Sequence, residues 1–120
     1  MIDDDTPIFK VSQAAKHLNM SADRLRTYDE EKLVMPYREN KVRLYSNKDI
    51  EWLENLREII SKDKLSIFGF KELLRISYIL NDKDFEKFAV KQEEKSIWKN
   101  ILLMRKNPNY EKLKNYYRTV

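Results

Sequence analysis

Apolar residues recur at helical spacing along most of the chain and alternate as in a strand over one short stretch. Val11, Ala14, Ala15 and Leu18 share a helix face, and Ser12 marks the start of that helix. Asn19-Met20-Ser21 breaks the pattern, and Ser21 is suited to cap a second short helix from Ala22 to about Asp29. There Leu25 and Tyr28 point one way, Arg24 and Thr27 another. Two short helices across a three-residue turn form a helix-turn-helix pattern. Beyond Leu33-Val34-Met35-Pro36, residues Tyr37-Arg38 and Val42-Arg43-Leu44-Tyr45 alternate as strands do. Glu39-Asn40-Lys41 is the turn between them, with Asn40 best able to take a left-handed conformation. The pattern predicts a hairpin carrying Arg38, Lys41 and Arg43.

Ser46-Asn47-Lys48-Asp49 has the form of a capping box. It opens a helix with Ile50, Leu53, Leu56 and Ile60 on one face, interrupted near residues 61–64. A further helix is predicted from Ile67 to Leu80, carrying Phe70, Leu73, Leu74 and Ile76. After a break at Asn81-Asp82-Lys83, one long helix is expected from Asp84 to about Lys106. Pro108 should stop it, leaving Tyr110 to Arg118 as a short aromatic and basic tail.

Composition narrows the chemistry. The 120 residues suit one domain, or one small domain with an appendage. Cysteine is absent, which excludes disulfides, thiolate chemistry and Cys-ligated zinc. One glycine, Gly69, cannot build a phosphate-cradling loop, and one histidine, His17, cannot build an H-E-x-x-H site. His17 reads as a surface or half-buried packing residue. Asp82, Asp84, Glu86 and Glu93 fall at calcium-loop positions 1, 3, 5 and 12. Lys87 stands where such a loop needs glycine, and Phe85, Phe88 and Ala89 fit a helix face, so calcium is rejected. No catalytic constellation, metal site or cofactor is expected. The acidic start, Asp3-Asp4-Asp5, is unlike a basic secretory leader and is expected to be a disordered, solvated segment. No apolar run is long enough for a membrane span, so a soluble, intracellular protein is expected. The formal charge of +4 is uneven: residues 1–60 carry a net −2 and residues 61–120 a net +6. A polyanion would therefore have to meet a local basic surface in the first half.

Helix, turn, helix, arginine-bearing hairpin and capped amphipathic helix follow one another in an order that resembles the MerR family of winged helix-turn-helix transcription regulators. The resemblance is carried by Phe9-Lys10-Val11-Ser12-Gln13-Ala14-Ala15-Lys16, by Ser21 to Asp29 with Lys32-Leu33-Val34, and by Val42-Arg43-Leu44-Tyr45-Ser46 with Asp49-Ile50. It implies a mainly α fold: a MerR-like DNA-binding domain over residues 8–76 with a small β-hairpin wing, followed by C-terminal helices. Residues 77–120 would form a dimerisation or partner-binding region with a basic aromatic tail. Lys64 to Phe70 is similar to the matching segment of the family's heat-shock repressors, some of which take a DnaK-type chaperone as co-repressor. Two departures stand out. Lys32 occupies a place where the family usually has glycine, at a cost of roughly 1 kcal/mol if it must be left-handed. The wing tip reads Lys41-Val42 in place of Gly-Tyr.

The DNA-contacting set implied by the resemblance is Ser12, Arg24, Arg26, Thr27, Tyr28, Arg38, Lys41, Arg43 and Tyr45. Arg26 and Tyr28 fall where the family meets the backbone; Arg24 and Thr27 are candidates for base readout. Asp23 suits the helix N-terminus better than a cytosine. The wing cations suit phosphates, and Tyr45 is either a core aromatic or a phosphate donor. Phe85, Phe88, Trp98, Ile101 and Leu102 are the candidates for dimerisation. The expected function is that of a dimeric repressor on an inverted-repeat operator, with heat-shock or chaperone genes among its candidate targets. Alternatives are an architectural, excisionase-like DNA-binding protein, or a protein-interaction adaptor using the C-terminal helices.

Overall fold

A computed structural model describes residues 3–80, 82–92 and 96–118. In chain order the elements are β1 (Phe9–Lys10), α1 (Val11–Leu18), α2 (Ala22–Glu30), β2 (Tyr37–Glu39), β3 (Val42–Tyr45) and α3 (Asn47–Lys62). They continue with α4 (Ile67–Ile79), α5 (Asp82–Val90), α6 (Ile97–Met104) and α7 (Pro108–Arg118). The fold is mainly helical with one small antiparallel sheet, ordered β1-β3-β2. It divides into two compact units, Met1–Glu54 and Asn55–Val120.

In the first unit, α1 begins one residue before the expected serine. Phe9 and Lys10 pair with Tyr45 and Leu44 of β3, so the chain stays extended through Lys10 and turns at once into helix. Lys10 is the N-cap, its amide donating to Gln13 Oε1 at 2.9 Å, and Ser12 lies inside the first turn. Ser21 does cap α2, accepting from the Arg24 amide at 3.1 Å. The end of α2 uses left-handed Lys32 (φ 61°), with the Lys32 amide donating to the Asp29 carbonyl and the Leu33 amide to the Tyr28 carbonyl. That bond pair is the Schellman termination normally given to glycine. It sends Leu33 and Val34 straight into the core, where the Leu33 carbonyl accepts from Trp52 Nε1 at 2.6 Å.

At the wing tip both Asn40 (φ 50°) and Lys41 (φ 70°) are left-handed, in a two-residue turn between paired Glu39 and Val42. Successive positive φ values mark the I′ turn, whose twist matches the strands it joins. The capping box of α3 forms as read: Ser46 Oγ accepts from the Asp49 amide at 3.0 Å, and Asp49 Oδ2 accepts from the Ser46 amide at 2.9 Å. The acidic start is an ordered turn, contrary to expectation. The Thr6 amide donates to the Asp3 carbonyl, and the Asp4 carbonyl accepts from the Lys48 amide in the first turn of α3.

In the second unit, Ser66 caps α4 by accepting from the Gly69 amide at 3.0 Å. The expected long helix from Asp84 to Lys106 is two helices. α5 ends at Val90 in a turn at Lys91-Gln92, residues 93–95 lie outside the described residues, and Ser96 caps α6 by accepting from the Trp98 amide. The run from Lys91 to Lys95 offers no apolar side chain to hold a continuous helix on a core, whereas Ser96 supplies a fresh start. Phe85, Ala89 and Ile101 are buried together, with Leu73, Leu80, Ile97, Trp98 and Leu102 packed around them. Because Asp82–Val90 is helix, positions 1, 3 and 5 of the rejected calcium loop are helical; Glu93 lies outside the described residues.

Pro108 opens α7 instead of only ending what precedes it. As the first helical residue it has no amide to leave unbonded, and Asn107 Oδ1 accepts from the Asn109 amide at 2.9 Å. The expected tail is thus a helix with Tyr110, Leu113 and Tyr117 buried. Tyr78 of α4 stacks on Tyr110 and Tyr117, with centroids at 4.3 and 5.5 Å, and its hydroxyl donates to the Tyr110 carbonyl.

Candidate nucleic-acid interface

The second helix and the wing are joined by one carboxylate. Asp29, at the last turn of α2, is buried, and its Oδ2 accepts from both Arg38 of β2 and Arg43 of β3. Arg38 and Arg43 face each other in the β2–β3 register, so the acid reaches a matched cross-strand pair. Glu30 adds a longer contact to Arg43 at 3.8 Å. Two like charges directly opposite on a sheet repel, and a buried carboxylate needs compensating donors. Asp29 answers both requirements at once. The guanidinium of Arg43 is held above its ordinary pKa, first by its hydrogen bond to Asp29. Arg38 keeps about half of its side-chain surface exposed (48%), while Arg43 is largely enclosed (18%).

On α2, Arg24, Arg26 and Thr27 are exposed. Arg26 Nη1 bonds Asp23 Oδ1 at 2.7 Å, and Thr27 Oγ1 donates to the Asp23 carbonyl. Asp23 therefore steadies Arg26, while Ser21 performs the capping. Arg24 lies over the Tyr28 ring at 5.9 Å, with Nε 3.3 Å from its hydroxyl. Tyr28 itself is fully buried and presents no surface to a phosphate in this conformation; it acts as the platform on which Arg24 rests.

Of the two readings of Tyr45, the structure has the core aromatic: it is fully buried, and among the described residues its hydroxyl has no hydrogen-bond partner. Burial, then the nearby charge of Asp29, pushes its pKa well above the ordinary tyrosine value. Lys41 at the wing tip and Ser12 in the first turn of α1 are exposed. His17 is exposed and meets the Phe9 ring edge-on at 4.9 Å. In chemical terms the first unit offers hydrogen-bond donors on fixed supports, an arrangement suited to recognising acceptors on an anionic surface.

Asp29, which joins the second helix to the wing, is the residue of this arrangement that sequence reading did not single out. Its signal was present as an acid one residue past the apolar Tyr28, preceding a hairpin with two arginines in register. The five dimerisation candidates are differently placed. Phe85 and Ile101 are fully buried within the second unit, and Trp98 and Leu102 are packed against them. Phe88 remains 40% exposed while touching the Trp98 ring edge at 5.4 Å.

A two-helix reader followed by a hairpin locked to its second helix defines the winged helix-turn-helix class. Residues 9–76 match the family described as MerR HTH family regulatory protein, and the chain belongs to that family. It is also 31% identical over 74 residues to a Streptomyces coelicolor protein named as heat shock protein HspR, an alignment covering 61% of this chain and 49% of that protein. The chain thus spans about half the length of this curated relative. No solved structure matches the chain.

Proposed function

We propose that this chain is a DNA-binding transcription regulator, acting without catalysis or cofactor as a dimeric repressor of an inverted-repeat operator. The observation that carries this reading is the Asp29 clamp, which ties the second helix to both arginines of the wing and so supports their acting together on DNA. α2 enters the major groove, Arg24 and Thr27 face base edges, and Arg26, Arg38, Lys41 and Arg43 meet phosphates, with Ser12 donating from α1. Tyr28 and Tyr45 support these contacts from beneath. Residues 8–76 serve DNA binding; residues 77–120 serve dimerisation or partner binding. The likeness to a protein named for heat shock supports chaperone-type genes as targets, and the family resemblance supports a DnaK-type co-repressor. Such a protein works in the cytoplasm on the nucleoid; among the described residues no helix is long and apolar enough to cross a membrane.

The test is a genomic DNA pull-down with the purified chain, followed by salt titration on the most enriched site. A palindromic site is expected, and Arg26→Ala and Arg43→Ala should each weaken binding to every sequence and flatten its salt dependence. Unchanged affinity in both variants would falsify the assignment. Enrichment of tandem sites with strong bending would point to an architectural role, and no enrichment at all to an adaptor.

A further inference from the structure

Helices α4, α5, α6 and α7 of the second unit meet at a groove of about 340 Å³, a size common among small-ligand clefts. Tyr78 and Tyr110 give it an aromatic floor, their rings stacked at 4.3 Å, and Leu102 adds an apolar wall. The hydroxyls of the floor are engaged inside the fold. Tyr78 donates to the Tyr110 carbonyl, and the Tyr110 hydroxyl meets Ser77 Oγ at 2.9 Å. Around the floor stand three cations, Arg105, Lys106 and Lys114, with Glu86 and Glu111 as the acids. Residues 61–120 as a whole carry a net +6.

Arg105, at the end of α6, is held in place from below. Its guanidinium lies over the Phe85 ring at 4.9 Å and over the Tyr110 ring at 5.5 Å, and both rings are buried. Stacking uses the flat face of a guanidinium and leaves its rim of N–H donors for acceptors in the plane. Lys106 is exposed beside it. Lys114 stands 3.6 Å from Glu111 Oε1, beyond hydrogen-bonding length, so a stronger anion can draw it away at little cost. We infer that this groove binds a phosphate monoester, with its phosphoryl group on Arg105, Lys106 and Lys114 and its organic part along Leu102. A phosphate monoester carries nearly two negative charges at neutral pH and three strong acceptor oxygens, which suits three cations. A carboxylate has one charge and two oxygens, which Arg105 alone would satisfy. The groove is also larger than a phosphoryl group, which leaves room for the ester's organic part. The inference stands apart from the DNA-binding reading, because none of these residues belongs to α2 or the wing.

The measurement is isothermal titration calorimetry of the full chain with phenyl phosphate and glycerol phosphate, against inorganic phosphate, phenol and glycerol. The tighter of the two esters is expected to bind with a Kd on the order of 0.1–1 mM, at least about tenfold below that of inorganic phosphate. Phenol and glycerol should give no heat of binding. Lys106→Gln should weaken the ester about threefold, and Arg105→Gln at least about tenfold. Glu111→Gln should strengthen it about threefold, because Lys114 is released to the phosphoryl group. Arg105→Gln also removes two ring contacts, so thermal unfolding is followed alongside. If that variant melts early, Lys106→Gln and Glu111→Gln, both at exposed positions, carry the test with their opposite signs. An ester that binds the parent, Lys106→Gln and Glu111→Gln equally well sits elsewhere and overturns the groove. Inorganic phosphate binding as tightly as both esters overturns it, as does the absence of heat from either ester up to about 10 mM.

Discussion

Tyr28 and Tyr45, both fully buried, hold up the residues around them, and Tyr45 does so at a cost. A buried hydroxyl without a partner loses its hydration and gains nothing in return, which costs roughly 1–3 kcal/mol. Tyr45→Phe removes that atom and keeps the ring, so the protein should become more stable by about 1 kcal/mol. The same substitution has a pH signature. Burial raises the folded-state pKa of Tyr45, so the folded protein holds this proton more tightly than the unfolded chain does. The corresponding stability is fully present below the ordinary tyrosine pKa of about 10 and is lost as pH rises beyond it. Chemical denaturation of Tyr45→Phe between neutral pH and about pH 11 should therefore show a shallower alkaline decline. Tyr78, raised by burial in the same way, keeps part of the decline in both proteins. DNA affinity should not change; a loss on removing the hydroxyl would return Tyr45 to the phosphates.

At the scale of the element, the helix starts read at Ser21 and at the Ser46 capping box hold, whereas Ser12 lies inside the first turn of α1 and the caps at Ser66 and Ser96 were not read. What could not be read was decided by partners distant in the chain. β1 is two residues long and exists because β3 offers an edge, so no local alternation announces it. Pro108 was read as a stop because its other use, opening a helix, depends on an acceptor at Asn107 and on the Tyr78 ring that receives Tyr110 and Tyr117. Of the site, the exposed cations were legible, whereas the buried acid that orders two of them was not. The wing tip makes the energetics testable. Lys41 is left-handed without being glycine, which costs roughly 1 kcal/mol. Lys41→Gly creates the Asn-Gly pair that the turn prefers, so the domain should gain up to about 1 kcal/mol, read from its denaturant midpoint. It also removes one cation from the tip, and the salt slope of DNA binding should fall by about one unit per wing. Higher stability with weaker, less salt-dependent binding is the expected pair of results; an unchanged slope would take the wing tip off the DNA.

Across the whole molecule the charge poses a problem for a DNA-binding reading, because residues 1–60, which include the α2–wing reader, carry a net −2. A long-range field from that half would not draw a polyanion toward it, so affinity has to come from a few cations fixed at contact distance. Asp29 separates these two sources by sign. Asp29→Asn raises the net charge by one, and on the field account it should tighten binding to any DNA. On the clamp account it weakens binding, because Arg38 and Arg43 lose the acceptor that fixes them and must be ordered anew on each encounter. Glu51→Gln makes the same change in charge at an exposed position on α3, where Glu51 pairs with Lys48 at 3.4 Å. Measured side by side at two salt concentrations, Glu51→Gln should match or slightly exceed the parent affinity. Asp29→Asn should lose about tenfold or more, with its far-UV spectrum retained. If both variants bind more tightly, the wing arginines need no positioning and the field governs recognition. If only Asp29→Asn weakens, the net charge of the first half is immaterial, and a single buried carboxylate makes an acidic half of the molecule a reader of DNA.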